Sequence, residues 1–162
     1  MPGSSLDRPC SSRRVGHVAL RHDRNRLILH HRHDLRVERT DFVNISTQDL
    51  GRAVEFYGET LGLQRNPRSS DEWPEFETGN LTLVIADVAK TGIAFSPSNN
   101  AVALRVPDVD EAKHELETRG VKFEFEETYD SGVCHMAFFR DPDGNALILH
   151  RRHAPYSDGS LP

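Results

Sequence analysis

The chain has 162 residues, 36% of them hydrophobic and 28% charged, enough for one domain with a real core or for two small modules sharing one. No run of about 18 apolar residues occurs, which excludes a membrane-spanning helix of the usual kind. Two cysteines, Cys10 and Cys134, exclude a disulfide framework, and a reduced, cytoplasmic setting is the expectation.

Charge is distributed unevenly. Residues 1–40 hold nine Arg and four acids; residues 41–162 hold eleven Lys plus Arg and twenty-one acids, so +5 and −10 make the total of −5. An acidic body is a poor binder of phosphate backbones, and no specific nucleic-acid partner is expected. The first stretch, "MPGSSLDRPCSSRR", has no apolar h-region, so no secretory leader is expected. "RNRLILHHRHDLRVERT" places His30, His31 and His33 within four positions. A metal- or nucleic-acid-binding arm and an unstructured extension both fit that pattern. Apolar residues too sparse to offset the entropy of ordering favour a disordered basic extension over residues 1–39.

Clean periodicity begins at Thr40. "TDFVNIST" reads as a strand with Phe42, Asn44 and Ser46 on one side and Val43 and Ile45 on the other. Asp49 then offers an N-cap, Leu50, Ala53, Val54, Tyr57 and Leu61 form one helical face, and Gly62 ends the helix. "EFET" and "LTLVIAD" read as strands joined by the turn Gly79-Asn80. The second half repeats the order. "AVALRV" is a strand, Asp108 and Glu111 match a capping box, Val109, Ala112 and Leu116 give the apolar face, and Gly120 closes the helix. "VKFEFEE", "GVCHMAFFR" and "NALILHR" read as three more strands, the last two joined by Asp141-Pro142-Asp143-Gly144. The halves align, Asp49 with Asp108, Leu50 with Val109 and Ala53 with Ala112. Each is a βαβββ unit unable to bury its own core, so the expectation is an α+β fold. Its two modules, about 40–90 and 100–152, form a curved, partly open, barrel-like sheet with helices outside. Residues 153–162 read as a flexible tail.

"DLGRAVEFYGETLGL", Asp49 to Leu63, and "FFRDPDGNALIL", Phe138 to Leu149, resemble the vicinal oxygen chelate superfamily, the glyoxalase/bleomycin-resistance/extradiol-dioxygenase group. The resemblance covers residues 40–152. It implies enzymes that hold a divalent metal through His, Glu or Gln on the first and last strands of each module, and chains that commonly pair as homodimers. Carried over residue by residue, those ligand positions fall on Phe42, on Ala101, on Ile148 and near Thr82 to Val84. Hydrocarbon offers no lone pair, so no metal and no cofactor is expected.

The face left for a ligand carries Phe42, Asn44 and Ser46, then Ala101 and Ala103, then Cys134, Met136 and Phe138, then Ala146, Ile148 and His150. It is mostly apolar, with a few polar points, and suits a small apolar or aromatic molecule. Trp73, in "SSDEWPEF", reads either as a lid over that ligand or as a loop anchor. His150 is the candidate general acid or base. His135, of opposite parity, is expected toward the helices, and His114 on a solvated helix face. Cys134 is either a nucleophile or a small buried hydrophobe. Metal-free members of the superfamily include proteins that bind and sequester antibiotics. The reading is therefore a metal-independent small-molecule-binding protein of the sequestration or resistance kind. The alternative is an enzyme, either a lyase, isomerase or dioxygenase-like protein with a metal site rebuilt from His135, His150 or His153, or a metal-free one with His150 as base.

Overall fold

The computed structural model describes residues 36–162. The expectations for residues 1–35, including the histidines at 30, 31 and 33, lie outside the described residues. All elements lie in one compact unit, Glu38–Pro162. Among the described residues no helix is long and apolar enough to cross a membrane.

The first module runs β1 (Phe42–Thr47), α1 (Leu50–Glu55), β2 (Gln64–Arg65), β3 (Glu75–Glu77) and β4 (Thr82–Asp87). Its sheet has the order β1-β4-β3-β2, with β1 parallel to β4 and the other pairs antiparallel. The second runs β5 (Val102–Arg105), α2 (Val109–Thr118), β6 (Tyr129–Asp130), β7 (Cys134–Arg140) and β8 (Ala146–Arg152). Its order, β5-β8-β7-β6, has the same pairing pattern. Two like modules of one helix side and one open side give the expected α+β architecture, with the sheets not closed on each other.

Strand alternation divides the two faces. Ile45 and Thr47 of β1, Leu83 and Ile85 of β4, Ala137 and Phe139 of β7, and Leu147 and Leu149 of β8 are buried. They pack with Ala53, Phe56, Tyr57, Val109 and Leu116 of the helix layer into one core. The intervening residues point to the open face. Asp49 caps α1 by accepting from Arg52 N at 3.0 Å, and Asp108 caps α2 by accepting from Glu111 N at 2.9 Å.

Three expectations are corrected. The helix after Asp49 does not continue as α: Phe56–Thr60 form a π-turn, with Leu61 N bonded to Phe56 O. Gly58 lies there against Phe76, whose ring would stand 3.4 Å from an added Cβ. "VKFEFEE" is not a strand. Only a bridge between Phe123 and Phe139 and a bond from Glu124 N to Phe138 O form, and pairing resumes at the two-residue β6. Lys122, Glu124, Glu126 and Glu127 leave too little apolar surface to hold a full edge strand. The capping box is half made, since Asp108 caps Glu111 N without a reciprocal bond from the Glu111 side chain.

The Asp141–Asn145 turn locks the second module onto the first. Asp141 Oδ1 accepts from Asp143 N at 3.0 Å and Asn145 N at 2.8 Å. Its Oδ2 accepts from Asn145 Nδ2 at 2.7 Å and Tyr57 Oη at 2.9 Å. Asn145 Nδ2 also donates to Ser46 O, and Asn145 Oδ1 accepts from Ser98 N. Asp143, nearly inaccessible, pairs with Arg52 at 2.7 Å and accepts from Thr47 Oγ1 at 2.6 Å. Gly144 sits at φ +90, and an added Cβ would stand 3.4 Å from Pro97, so the turn tolerates little but glycine there. The two stretches that carried the resemblance are thus the two sides of one buried polar joint.

Candidate functional site

The registers fix the open face residue by residue. In the first module Phe42 faces Thr82, Asn44 faces Val84 and Ser46 faces Ala86, while Glu75 faces Val84 across β3. Ile85 N donates to Pro74 O at 2.8 Å, which carries the β3–β4 ladder one residue beyond β3. Alternation then puts Trp73, 44% exposed, on Glu75's face and in the row of Ala86 and Ser46. In the second module Ala103 faces Ile148 and Arg105 faces His150. Across β7, Phe138 faces Ile148, Met136 faces His150, Cys134 faces Arg152, and Tyr129 faces Met136 from β6. Ala101 is exposed just before β5.

The metal positions resolve further. Val43 faces Leu83 as Val102 faces Leu147, so the first-module counterpart of Ile148 is Val84. The four positions are Phe42, Val84, Ala101 and Ile148, none with a donor atom. The nearest carboxylate on the ladder, Glu75, accepts from Asn66 Nδ2 at 3.0 Å. This set does not fit a divalent ion. Nor do the histidines converge elsewhere. His135 points to the helix side, its Nε2 2.8 Å from Thr128 Oγ1 and 3.8 Å from Asp110. His150 is on the opposite face of the same sheet. His153 pairs with Asp130 at 3.0 Å; that bond and one from Gly132 N–H hold the Asp130 carboxyl below its usual range. Among the described residues no three His, Cys, Asp or Glu side chains group as metal ligands. His114 is exposed on α2.

Aromatic side chains gather at one end of the second module's open face. Phe125 meets Phe138 edge-on, with ring centroids 5.9 Å apart and planes at 88°. With Tyr129, Thr128 and Glu127 they line a groove of about 400 Å³. Phe125 and Tyr129 are 59% and 56% exposed, costly for such large rings unless something covers them. The strap bearing Phe125 and Tyr129 is fastened from behind: Lys113 Nζ donates to Glu126 O at 2.8 Å, and Thr128 Oγ1 donates to Asp110 at 2.8 Å. His150 lies between Arg105 on β5 and Met136 on β7, and its ring makes no side-chain hydrogen bond among the described residues.

The expected positions therefore fall into two sets. Phe42, Asn44, Ser46 and Trp73 belong to the first sheet; Cys134, Met136, Phe138, Ile148 and His150 share the second, with Ala101 at its edge. No strand pairing joins the sets. Sequence reading missed Phe125, because its segment looked like a strand, and Tyr129, which lies between the two stretches read as strands. It also missed Glu75 and Arg105, although the parity that selected Phe42 and Ala103 selects them too.

A model of the Glyoxalase/Bleomycin resistance protein/Dioxygenase superfamily matches residues 39–149. Sequence comparison with proteins of curated function gave no match. Among solved structures, the antibiotic binding protein TnmS3 from Streptomyces sp. CB03234 is 24% identical with a TM-score of 0.60, covering 73% of this chain and 98% of that one. Lactoylglutathione lyase from Agrobacterium tumefaciens is 19% identical with a TM-score of 0.59, covering 71% and 94%. A glyoxalase/bleomycin resistance protein/dioxygenase from Nocardioides is 22% identical with a TM-score of 0.60, covering 79% and 92%. At these identities the structural likeness speaks to fold. With the family model spanning both modules, the chain belongs to the glyoxalase/bleomycin resistance protein/dioxygenase superfamily.

Proposed function

We propose that the protein binds a small, flat, apolar or aromatic molecule without a metal, in the manner of a sequestration or resistance protein. The observation that carries this reading is the aromatic groove of Phe125, Tyr129 and Phe138. Across the ladder Tyr129 faces Met136 and Phe138 faces Ile148, on a face whose metal positions are hydrocarbon. Rings that meet edge-on favour an aromatic guest, and His150, on the same sheet face as Phe138, supplies a polar point to orient one. The similar fold of the antibiotic binding protein TnmS3 supports the reading. The reading includes a cytoplasmic homodimer, which would cover the free edge of β1.

The test is a thermal-shift screen of aromatic natural products and antibiotics, with and without divalent ions, followed by calorimetry. A ligand at a hundred times its dissociation constant raises stability by about 2.7 kcal/mol. Binding is expected to survive chelator and to weaken at least tenfold in Phe138→Ala. A strict requirement for added metal would sink the metal-free reading.

A second reading is favoured by the unengaged imidazole of His150 beside Arg105. In it His150 acts as general base in a metal-free isomerase or lyase. Turnover of a bound ligand, lost in His150→Ala with binding retained, is the result that would select it.

A further inference from the structure

The two modules are related by an internal repeat, so each feature of one seam has a counterpart in the other. Asp49 corresponds to Asp108, hence Ser46 to Arg105, Thr47 to Val106 and Tyr57 to Leu116. Leu83 corresponds to Leu147, hence Gly79 to Asp143 and Leu81 to Asn145. Where the β7–β8 turn meets the first module, Tyr57, Asp141, Asp143, Asn145 and Thr47 fill the seam with hydrogen bonds. Where the β3–β4 turn meets the second, four of the five matching positions, Leu116, Val106, Gly79 and Leu81, are apolar or lack a side chain; the fifth, Glu77 in place of Asp141, is exposed and outside the groove's lining. The result is a groove of about 440 Å³ between the turn Thr78–Leu81, Leu63 and the free edge of β5. A second groove of about 330 Å³, sharing Leu63, Leu104 and Arg105, continues it past Leu116 and Leu149.

We propose that this seam is a second ligand site, distinct from the aromatic groove, which takes an apolar carboxylic acid with its carboxylate on Arg105. Three features carry the assignment. The larger groove's volume lies in the range of small-molecule pockets. Its walls, Leu63, Leu81, Val102 and Leu104, are hydrocarbon. Its lining has one charged group, Arg105, and no carboxylate, in a body whose balance over residues 41–162 is −10. Arg105 forms no ion pair with any described residue, whereas Arg52, Arg65, Arg119 and Arg140 each do. An arginine lining an apolar groove free of acids, whose continuation holds a single acid, Glu115, already paired with Arg119, is complementary to a carboxylate on an apolar body, and its planar fork suits a two-point contact. Asn80, in the same lining, offers an amide as a further donor. The site shares Arg105 with the border of the open face, where it lies beside His150, but uses none of the residues of the aromatic groove.

The test uses the full chain with naphthalene-2-carboxylate and its neutral isostere naphthalene-2-carboxamide as probes. Calorimetry gives affinity, and amide shifts in a ¹⁵N-labelled sample give position. The acid is expected to bind at least tenfold more tightly than the amide. Its shifts should centre on Leu81, Val102, Leu104 and Arg105 rather than on Tyr129, Met136 and Phe138. In Arg105→Gln, an exposed change that should leave Tm in place, the preference for the acid disappears; in Leu81→Trp, which fills the slot, both probes are excluded. Four results each overturn the proposal: no binding of the acid at millimolar concentration, equal affinity for acid and amide, indifference to Arg105→Gln, or shifts confined to the aromatic groove.

Discussion

Tyr57→Phe removes one oxygen from the joint between the modules and leaves the ring's volume in place. Tyr57 is fully buried, and its hydroxyl donates to Asp141 Oδ2 at 2.9 Å. The ring keeps its edge contact with Phe56 at 5.4 Å and its contact with Phe76 at 6.1 Å. A hydrogen bond to a charged acceptor contributes about 1.5–3 kcal/mol. Asp141 retains the bonds from Asp143 N, Asn145 N and Asn145 Nδ2, so the lower end, about 1.5–2 kcal/mol, is expected. For a unit of this size that is a fall in Tm of about 5–10 °C. The pH dependence is the sharper signature. Burial first, then the Asp141 charge, the hydrogen bond to Asp141 and the Asp143 charge, push the folded-state phenol far above its ordinary value. A group raised on folding holds its proton in the folded chain after the unfolded chain has lost it. Stability is then complete below pH about 10 and falls by about 1.4 kcal/mol per unit above it. The phenylalanine of the variant cannot titrate, so the gap between wild type and variant, open at pH 7, should close at about pH 11.5. Urea denaturation followed by circular dichroism from neutral pH to that point measures it. A gap that stays constant through that range, or an unchanged Tm at neutral pH, would refute the reasoning.

Asn145→Ala strips Ser98 N, Ser46 O and Asp141 of a shared partner and is expected to cost about 3–4 kcal/mol by urea unfolding, more than Tyr57→Phe. Phe42→His, Ala101→His and Ile148→Glu together should give the open face measurable cobalt affinity, visible as d–d absorption, and should lower the metal-free Tm; an unchanged spectrum would mean that the strand placement or the carried-over positions are wrong. Sedimentation at micromolar concentration should show a species of twice the 18.3 kDa chain mass; a monomer alone would contradict the proposed dimer.

Much of the fold is legible in the sequence because its signals are local. Asp49 and Asp108 cap helices whose apolar residues recur at helical spacing, and a period of two in "FVNIST", "CHMAFF" and "ALILH" assigns each side chain to a face before any strand has a partner. The repeat then supplies the topology, since neither module can bury its helix side alone. That Phe42, Ala101 and Ile148 lack donor atoms is likewise a matter of residue type. What depends on partners distant in the chain was decided by tertiary structure. The first-module counterpart of Ile148 became Val84 only when strand registers tied Leu83 and Leu147 to equivalent neighbours. "VKFEFEE" has a strand's alternation, yet pairing reduced it to a bridge and turned Phe125 toward Phe138. The acids of "DPDG" read as turn residues; their bonds to Tyr57, Thr47 and Arg52 join positions more than eighty residues apart. The same long-range geometry sets Arg105 beside an unfilled seam. Local periodicity determines which way a side chain points, whereas only the packing of the two modules determines what it meets.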